Sequence, residues 1–214
     1  MANYNLDKTW DVAKFNLKNC DPLEVARKAK VEYDQLSKTF KLPFLGNIYS
    51  IKFPEGAVNA LNGNEEVSLT NQILMLHYLT TADGQPLVNN WISFKELPDG
   101  AIYNDPFTRR TIKPMLDTFS DNPEKLVRLA EEMGGKARDI GDISVTLPVF
   151  PQVAITYVIW EGDDEFPATG TVLFDGSAKS YLPTEDYALL SSTIIWELKG
   201  KLKRTSGEKQ GANN

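Results

Sequence analysis

The sequence has little with which to build several familiar kinds of site. Cysteine and histidine occur once each, as Cys20 and His77. One cysteine cannot form an internal disulfide bond, and these two residues alone are too few ligands for a closed zinc site. A Ser-His-Asp triad would have to use His77, and no G-x-S-x-G turn accompanies it. Sequence motifs for phosphate loops, dinucleotide binding and calcium loops are also absent.

Positive charge and long apolar runs are scarce as well. The chain has 23 lysines and arginines against 29 aspartates and glutamates, a net charge of −6. Because a negative chain repels phosphate backbones, we expect no nucleic-acid partner. The longest apolar run, Val153 to Trp160, is far shorter than the ~20 residues that cross a bilayer, and the chain starts without a signal-peptide pattern. We therefore expect a cytoplasmic protein without a membrane segment.

Apolar residues make up 42% of the chain, enough to bury a substantial core. Strand patterns cluster at 143–149, 153–160 and 169–174, and Gly46-Asn47 predicts a hairpin turn. Because strands cluster instead of alternating with helices, the sequence predicts an α+β fold, a mostly antiparallel sheet packed by about five helices. We expect one domain over residues 1–204 and a disordered polar tail over 205–214.

Two helices carry clear apolar patterns. A late helix begins near Thr184, and its predicted inward residues are Tyr187, Leu190, Ile194 and Leu198. The helix predicted at 69–82 is apolar almost all round, which is typical of a buried central helix. His77 lies within it, and burying an unpaired imidazole costs on the order of 1–3 kcal/mol. His77 is therefore either a hydrogen-bonded core residue or an axial ligand in an apolar pocket, as a corrinoid or haem would need.

Two charged segments offer further candidate sites. Arg109 and Arg110 follow Asp105-Pro106, a predicted helix start, where they would grip a carboxylate or phosphate or else form a surface salt bridge. Residues 161–165 carry four carboxylates in a predicted hairpin loop, and Phe166 after them is predicted to fold into the core. Such a loop is a solvated tip, a site for Mg²⁺ or Ca²⁺, or a dock for a basic partner.

A resemblance to a known family is carried by segments 73–79, 91–97, Ile102-Tyr103 with Phe107 and Arg109 or Arg110, 141–151, Trp160, 163–167 and 173–175. Together these segments resemble the domain-of-unknown-function family 3786. The resemblance implies a protein of an anaerobe with accessory work near low-potential or corrinoid metabolism. The resemblance also implies that some relatives carry an added iron–sulfur segment, which a chain with one cysteine would lack. The resemblance implies no catalytic residues.

Residues and resemblance together predict a ligand-binding or accessory protein of anaerobic metabolism, with a corrinoid or other tetrapyrrole near His77. The predicted ligand-binding residues are His77, Tyr78, Arg109, Arg110 and Trp160. One alternative is a divalent-metal-dependent enzyme, whose metal would be bound by Asp163, Asp164, Glu165 and Asp175. Another is a non-catalytic interaction module whose acidic loop binds a basic protein partner. The sequence leaves the oligomeric state open.

Overall fold

The computed structural model of the chain describes residues 6–62 and 66–211, with side chains described as far as Arg204. The chain divides into two compact units. The first comprises Met1–Val88, Pro148–Val153 and Ser177–Leu182, and the second comprises Asn89–Leu147, Ala154–Gly176 and Pro183–Asn214. This division does not test whether residues 1–204 form a single domain, so that expectation stays a prediction.

The predicted α+β class is confirmed, with helices beside two antiparallel sheets of four and five strands. The elements of the first unit are α1 (Leu6–Lys18), α2 (Pro22–Ala29), β1 (Glu32–Asp34), β2 (Thr39–Phe44), β3 (Asn47–Lys52), β4 (Val58–Ala60) and α3 (Leu69–Thr81). The four strands lie in the sheet in chain order, β1 to β4. None of the helices in residues 6–62 and 66–211 is long and apolar enough to span a bilayer.

The predicted hairpin is confirmed, but its central turn residues are Leu45 and Gly46, one residue before the predicted Gly46-Asn47. Strands β2 and β3 pair antiparallel, with Phe44 opposite Asn47. Leu45 and Gly46 have φ angles of 47° and 78°. Positive φ at both central residues is the requirement of a type I′ turn, whose twist matches that of the strands it joins. The turn therefore fixes the register of the pair.

The second unit is built around the five-stranded sheet. Its elements are β5 (Trp91–Ser93), α4 (Gly100–Phe107), a π-helical turn (Thr108–Ile112), α5 (Lys113–Phe119), α6 (Glu124–Glu131), β6 (Lys136–Arg138), β7 (Ile143–Phe150), β8 (Val153–Trp160), β9 (Thr169–Asp175) and α7 (Thr184–Gly211). The sheet order is β5-β9-β8-β7-β6, so β8 is the central strand. The ends of β7 and β8 that meet at the turn between them, 148–153, belong to the first unit.

Helix α7 buries the predicted stripe: Tyr187, Leu190, Ile194 and Leu198 are each at most 1% exposed. A hydrogen bond joins the sheet to the helix: the Tyr157 hydroxyl on β8 donates to the Ser191 carbonyl on α7 at 2.9 Å. Helix α7 extends to Gly211. The predicted tail, 205–214, thus overlaps helical residues, and its last three residues lie outside those described.

The predicted helix start at Asp105-Pro106 is wrong. Helix α4 begins at Gly100, and Pro106 lies inside it. The backbone stays helical through the π-helical turn into α5, and the Lys113 amide donates to the Thr108 carbonyl, five residues back. Pro114 follows at once, within the first two positions of α5. A proline lacks the amide that an α-helix interior needs, so the wider turn takes up the mismatch without ending the helix.

Candidate functional site

Helix α3 holds His77 on a rigid support. The Ser68 hydroxyl caps the helix by accepting from the Asn71 amide at 3.3 Å. The buried residues of the helix are Ile73, Leu74, Met75, Leu76, Tyr78 and Leu79. His77 is only half-buried. The residues before and after His77, Leu76 and Tyr78, are buried and hold the helix in place, whereas His77 itself stays partly accessible.

Tyr78 attaches α3 to two other segments of the first unit. Its hydroxyl donates to the Ala29 carbonyl at 2.7 Å and accepts from the Gln152 amide at 3.2 Å. Its ring stacks on Phe150, with centroids 4.4 Å apart and planes 5° apart. Burial raises the pKa of Tyr78 above its ordinary value. Because the side chain is fully buried and its hydroxyl is used internally, the structure does not place this predicted ligand-binding residue within reach of a ligand.

Arg109 and Arg110 both lie in the π-helical turn, and both are exposed. They were predicted at a helix N-terminus, where free amides would help to hold an anion. In the structure the preceding residues are already helical, so those amides are not free. The two arginines keep their charge but lack the helix end that made them a candidate anion site.

Trp160 ends β8 and is 40% exposed. It belongs to the second unit, whereas His77 belongs to the first. Its ring covers Gly141, where an added Cβ would lie 3.2 Å from the Trp160 Cε2 atom. The Asp142 carboxylate next to this glycine accepts from the Glu161 amide at 2.8 Å. Trp160 therefore packs over the loop that precedes β7.

The acidic loop is organised by one of its own carboxylates. Asp163 Oδ1 accepts from the Glu165 amide at 2.9 Å and from the Phe166 amide at 2.7 Å. These bonds to the charged form lower the pKa of Asp163. Residues 161–167 are all exposed. The prediction that Phe166 folds into the core is wrong, since its side chain is 67% exposed.

Asp175 does not join the acidic loop. Thr169, the first residue of β9, pairs with Trp160 beside the loop, whereas Asp175 at the other end pairs with Trp91. The seven residues of β9 make six steps of extended strand, so its two ends lie about 20 Å apart. Asp175 instead accepts from the Asn89 amide at 2.8 Å. In the part of the chain that the structure describes, no group of three or more histidine, cysteine, aspartate or glutamate side chains is placed to hold a metal ion.

A groove in the second unit was missed by the sequence reasoning. It has a volume of about 330 Å³ and lies between one face of α6 and the strands β6 and β7 with their connecting loop. Its lining residues are Glu124, Val127, Arg128, Glu131, Ala137, Arg138, Asp142, Ile143 and Ser144. The α6 members recur every three or four residues, so the sequence shows one helical face of mixed charge. What the sequence does not show is that β6, only three residues long, lies beside that face.

The groove collects charges of both signs. Two arginines, Arg128 and Arg138, and three carboxylates line it. Ser144 is buried at its base, where its hydroxyl donates to the Arg138 carbonyl and accepts from the Ile140 amide, both at 3.1 Å. These two bonds close the loop between β6 and β7. The groove can therefore offer a small polar molecule both hydrogen-bond donors and acceptors.

Comparison with known proteins identifies a family but no characterised relative. A family model described as Domain of unknown function (DUF3786) matches residues 21–196. The matched span contains every predicted site residue and the whole lining of the groove. No curated protein and no solved structure matches the chain.

Proposed function

We propose that this chain, which belongs to the DUF3786 family, is a ligand-binding or accessory protein in the cytoplasm of an anaerobe. Its ligand is a corrinoid or another tetrapyrrole, held near His77. The observation that supports the proposal is the setting of that residue. His77 is the single histidine of the chain. It is half-buried on a helix whose neighbouring residues are buried.

An axial histidine ligand has two requirements: one ring nitrogen must reach the metal, and the backbone that carries the residue must be rigid. Helix α3 meets the second requirement, because the Tyr78 hydroxyl ties it to two other segments. A further hydrogen bond supports the helix backbone at His77, because the His77 carbonyl accepts from the Thr81 hydroxyl at 2.7 Å. A partly accessible imidazole on such a helix suits a cofactor that approaches from the surface of the first unit.

The test is an absorption titration of the purified chain with haem and with cobalamin. We expect a shift of the Soret or corrin bands, and we expect His77→Ala to abolish it. Cys20→Ser is the matched control, because a cysteine side chain can also bind haem iron and Cys20 lies in the same unit. Burial raises the pKa of the Cys20 thiol, so it is a weak competitor. Unchanged spectra with both compounds, or a shift that survives His77→Ala, would contradict the proposal.

An interaction module is the second candidate, and one observation favours it. Phe166 is 67% exposed directly beside four carboxylates, in a loop whose shape Asp163 sets. An exposed aromatic ring within an acidic surface suits a basic partner that carries an apolar side chain. Binding of a lysine-rich peptide with one leucine should weaken steeply as salt is added and should weaken further in Phe166→Ala. Binding that ignores both changes would argue against this candidate.

The metal-dependent enzyme has less support from the geometry. One Asp163 oxygen is already used by two backbone amides, and Asp175 lies at the far end of β9. Calorimetry with Mg²⁺, Mn²⁺ and Ca²⁺ tests this alternative directly. Binding at micromolar concentrations that is lost in Asp164→Asn would restore it.

A further inference from the structure

The groove between α6 and the β6–β7 strands is a candidate site separate from His77. Its volume of about 330 Å³ is near the lower end of the roughly 300–1,000 Å³ found for small-molecule sites. A tetrapyrrole is too large for it, whereas an amino acid or a dipeptide is not. The charged residues of its lining come from α6, from β6 and from the loop before β7.

Arg128 offers its guanidinium to the groove. Glu124 and Glu131 lie four residues before it and three residues after it on α6, which is the spacing of helical ion pairs. Within residues 6–62 and 66–204, Arg128 nevertheless forms no ion pair with either glutamate. A guanidinium has five N–H donors in a planar fork that fits an oxyanion. Arg128 as a whole is exposed, and it lines the groove.

Arg138 is held in place from behind. Its Nε donates to the Thr146 hydroxyl at 3.2 Å, and that hydroxyl is 2.7 Å from the Thr156 hydroxyl. Both threonines are buried, so the two hydroxyls form a fixed polar row beneath the arginine. This row orients the side chain through Nε alone, which leaves its terminal nitrogens for a ligand. A side chain positioned in advance loses less entropy when it binds.

The carboxylates decide which kind of anion fits. Glu124, Glu131 and Asp142 outnumber the two arginines by one. A ligand with negative charge alone would meet their repulsion, and one with positive charge alone would meet that of the arginines. A molecule that carries an oxyanion at one end and an ammonium group at the other complements both sets.

We propose that this groove binds a small zwitterion, an amino acid or short peptide. Its carboxylate pairs with Arg128 and Arg138, and its ammonium group pairs with Glu124, Glu131 or Asp142. The site is formed wholly by the second unit, so it stands or falls independently of a tetrapyrrole at His77.

Three probes test the proposal: a zwitterion and two blocked forms, each of which lacks one of its two charges. Alanyl-alanine is the zwitterion, N-acetyl-alanyl-alanine keeps only the carboxylate, and alanyl-alanine amide keeps only the ammonium group. We would titrate each into the ¹⁵N-labelled full chain and follow the amide signals of Ala137 and Ile143, which line the groove. We expect the zwitterion to bind in the millimolar range and each blocked form to bind at least about tenfold more weakly.

Two pairs of variants locate the effect. Arg128→Gln and Arg138→Gln should each weaken alanyl-alanine binding by about tenfold or more. Lys125→Gln on α6 and Lys136→Gln on β6 remove the same charge from the same elements outside the lining, and both should bind as the unmodified chain does. Circular dichroism checks that all four variants fold. Equal affinity for the three probes, no shifts at millimolar concentrations, or folded arginine variants that bind unchanged would each overturn the proposal.

Discussion

Replacing Tyr78 with phenylalanine removes one hydroxyl and keeps the ring that stacks on Phe150. The change leaves the Ala29 carbonyl and the Gln152 amide without the partner they share. Ala29 is fully buried, and Gln152 is half-buried. An unpaired buried polar group costs about 1–3 kcal/mol, and water can partly replace the bond to Gln152. We therefore expect Tyr78→Phe to lower the free energy of unfolding by about 2–4 kcal/mol.

Two other tyrosines provide a graded comparison in urea denaturation followed by circular dichroism. Tyr157 is also buried, but its hydroxyl makes one hydrogen bond, of 2.9 Å, to the Ser191 carbonyl. Tyr157→Phe should therefore cost about 1–2 kcal/mol. Tyr103 is 50% exposed, and Tyr103→Phe should change stability by less than about 0.5 kcal/mol. If Tyr78→Phe is as mild as Tyr103→Phe, the hydroxyl does not hold α3 as we argue.

Two further predictions concern pH and glycine. Because burial raises the pKa of Tyr78, its stabilising contribution is complete below the ordinary tyrosine pKa of about 10 and is lost as the pH rises above that value. Urea denaturation at rising alkaline pH should therefore show a smaller loss of stability in Tyr78→Phe than in the unmodified chain. An equal loss in both would refute this prediction. Gly141→Ala should destabilise by about 1–3 kcal/mol, because φ is +65° and the added Cβ would lie 2.7 Å from Val158 Cγ1. Gly200→Ala, inside α7 with no atom within 4 Å of the added Cβ, should instead stabilise by about 0.5–1 kcal/mol. A higher melting temperature in Gly141→Ala, or a lower one in Gly200→Ala, would contradict the prediction for that glycine.

Local signals in the sequence were enough for much of the fold. The Gly46-Asn47 hairpin, the buried helix α3 and the inward stripe of α7 each depend on residues close together in the chain, and each is confirmed. The clustering of strand patterns likewise predicted the α+β class. The two errors in the second unit have a shared cause. Proline is favoured in the first turn of a helix, and phenylalanine is among the residues most often buried, but Pro106 and Phe166 follow neither tendency.

The candidate sites depended on distances between residues far apart in the sequence. Asp175 was grouped with the acidic loop because little sequence separates them, yet a hairpin carries its two ends apart by the length of the strand. The groove has the opposite origin. Arg128 and Arg138 come together because α6 turns back through Gly134-Gly135 onto a short edge strand.

The sequence by itself determined the α+β class, the hairpin near Gly46 and the apolar residues that α3 and α7 bury, because hydrophobic spacing and turn chemistry act over a few residues. The tertiary structure alone decided that Tyr78 is a buried anchor, that His77 beside it is half-buried, and that charges of both signs share one groove. Those features depend on which surfaces pack together, and packing is settled by the shape of the whole chain and not by the order of neighbouring residues.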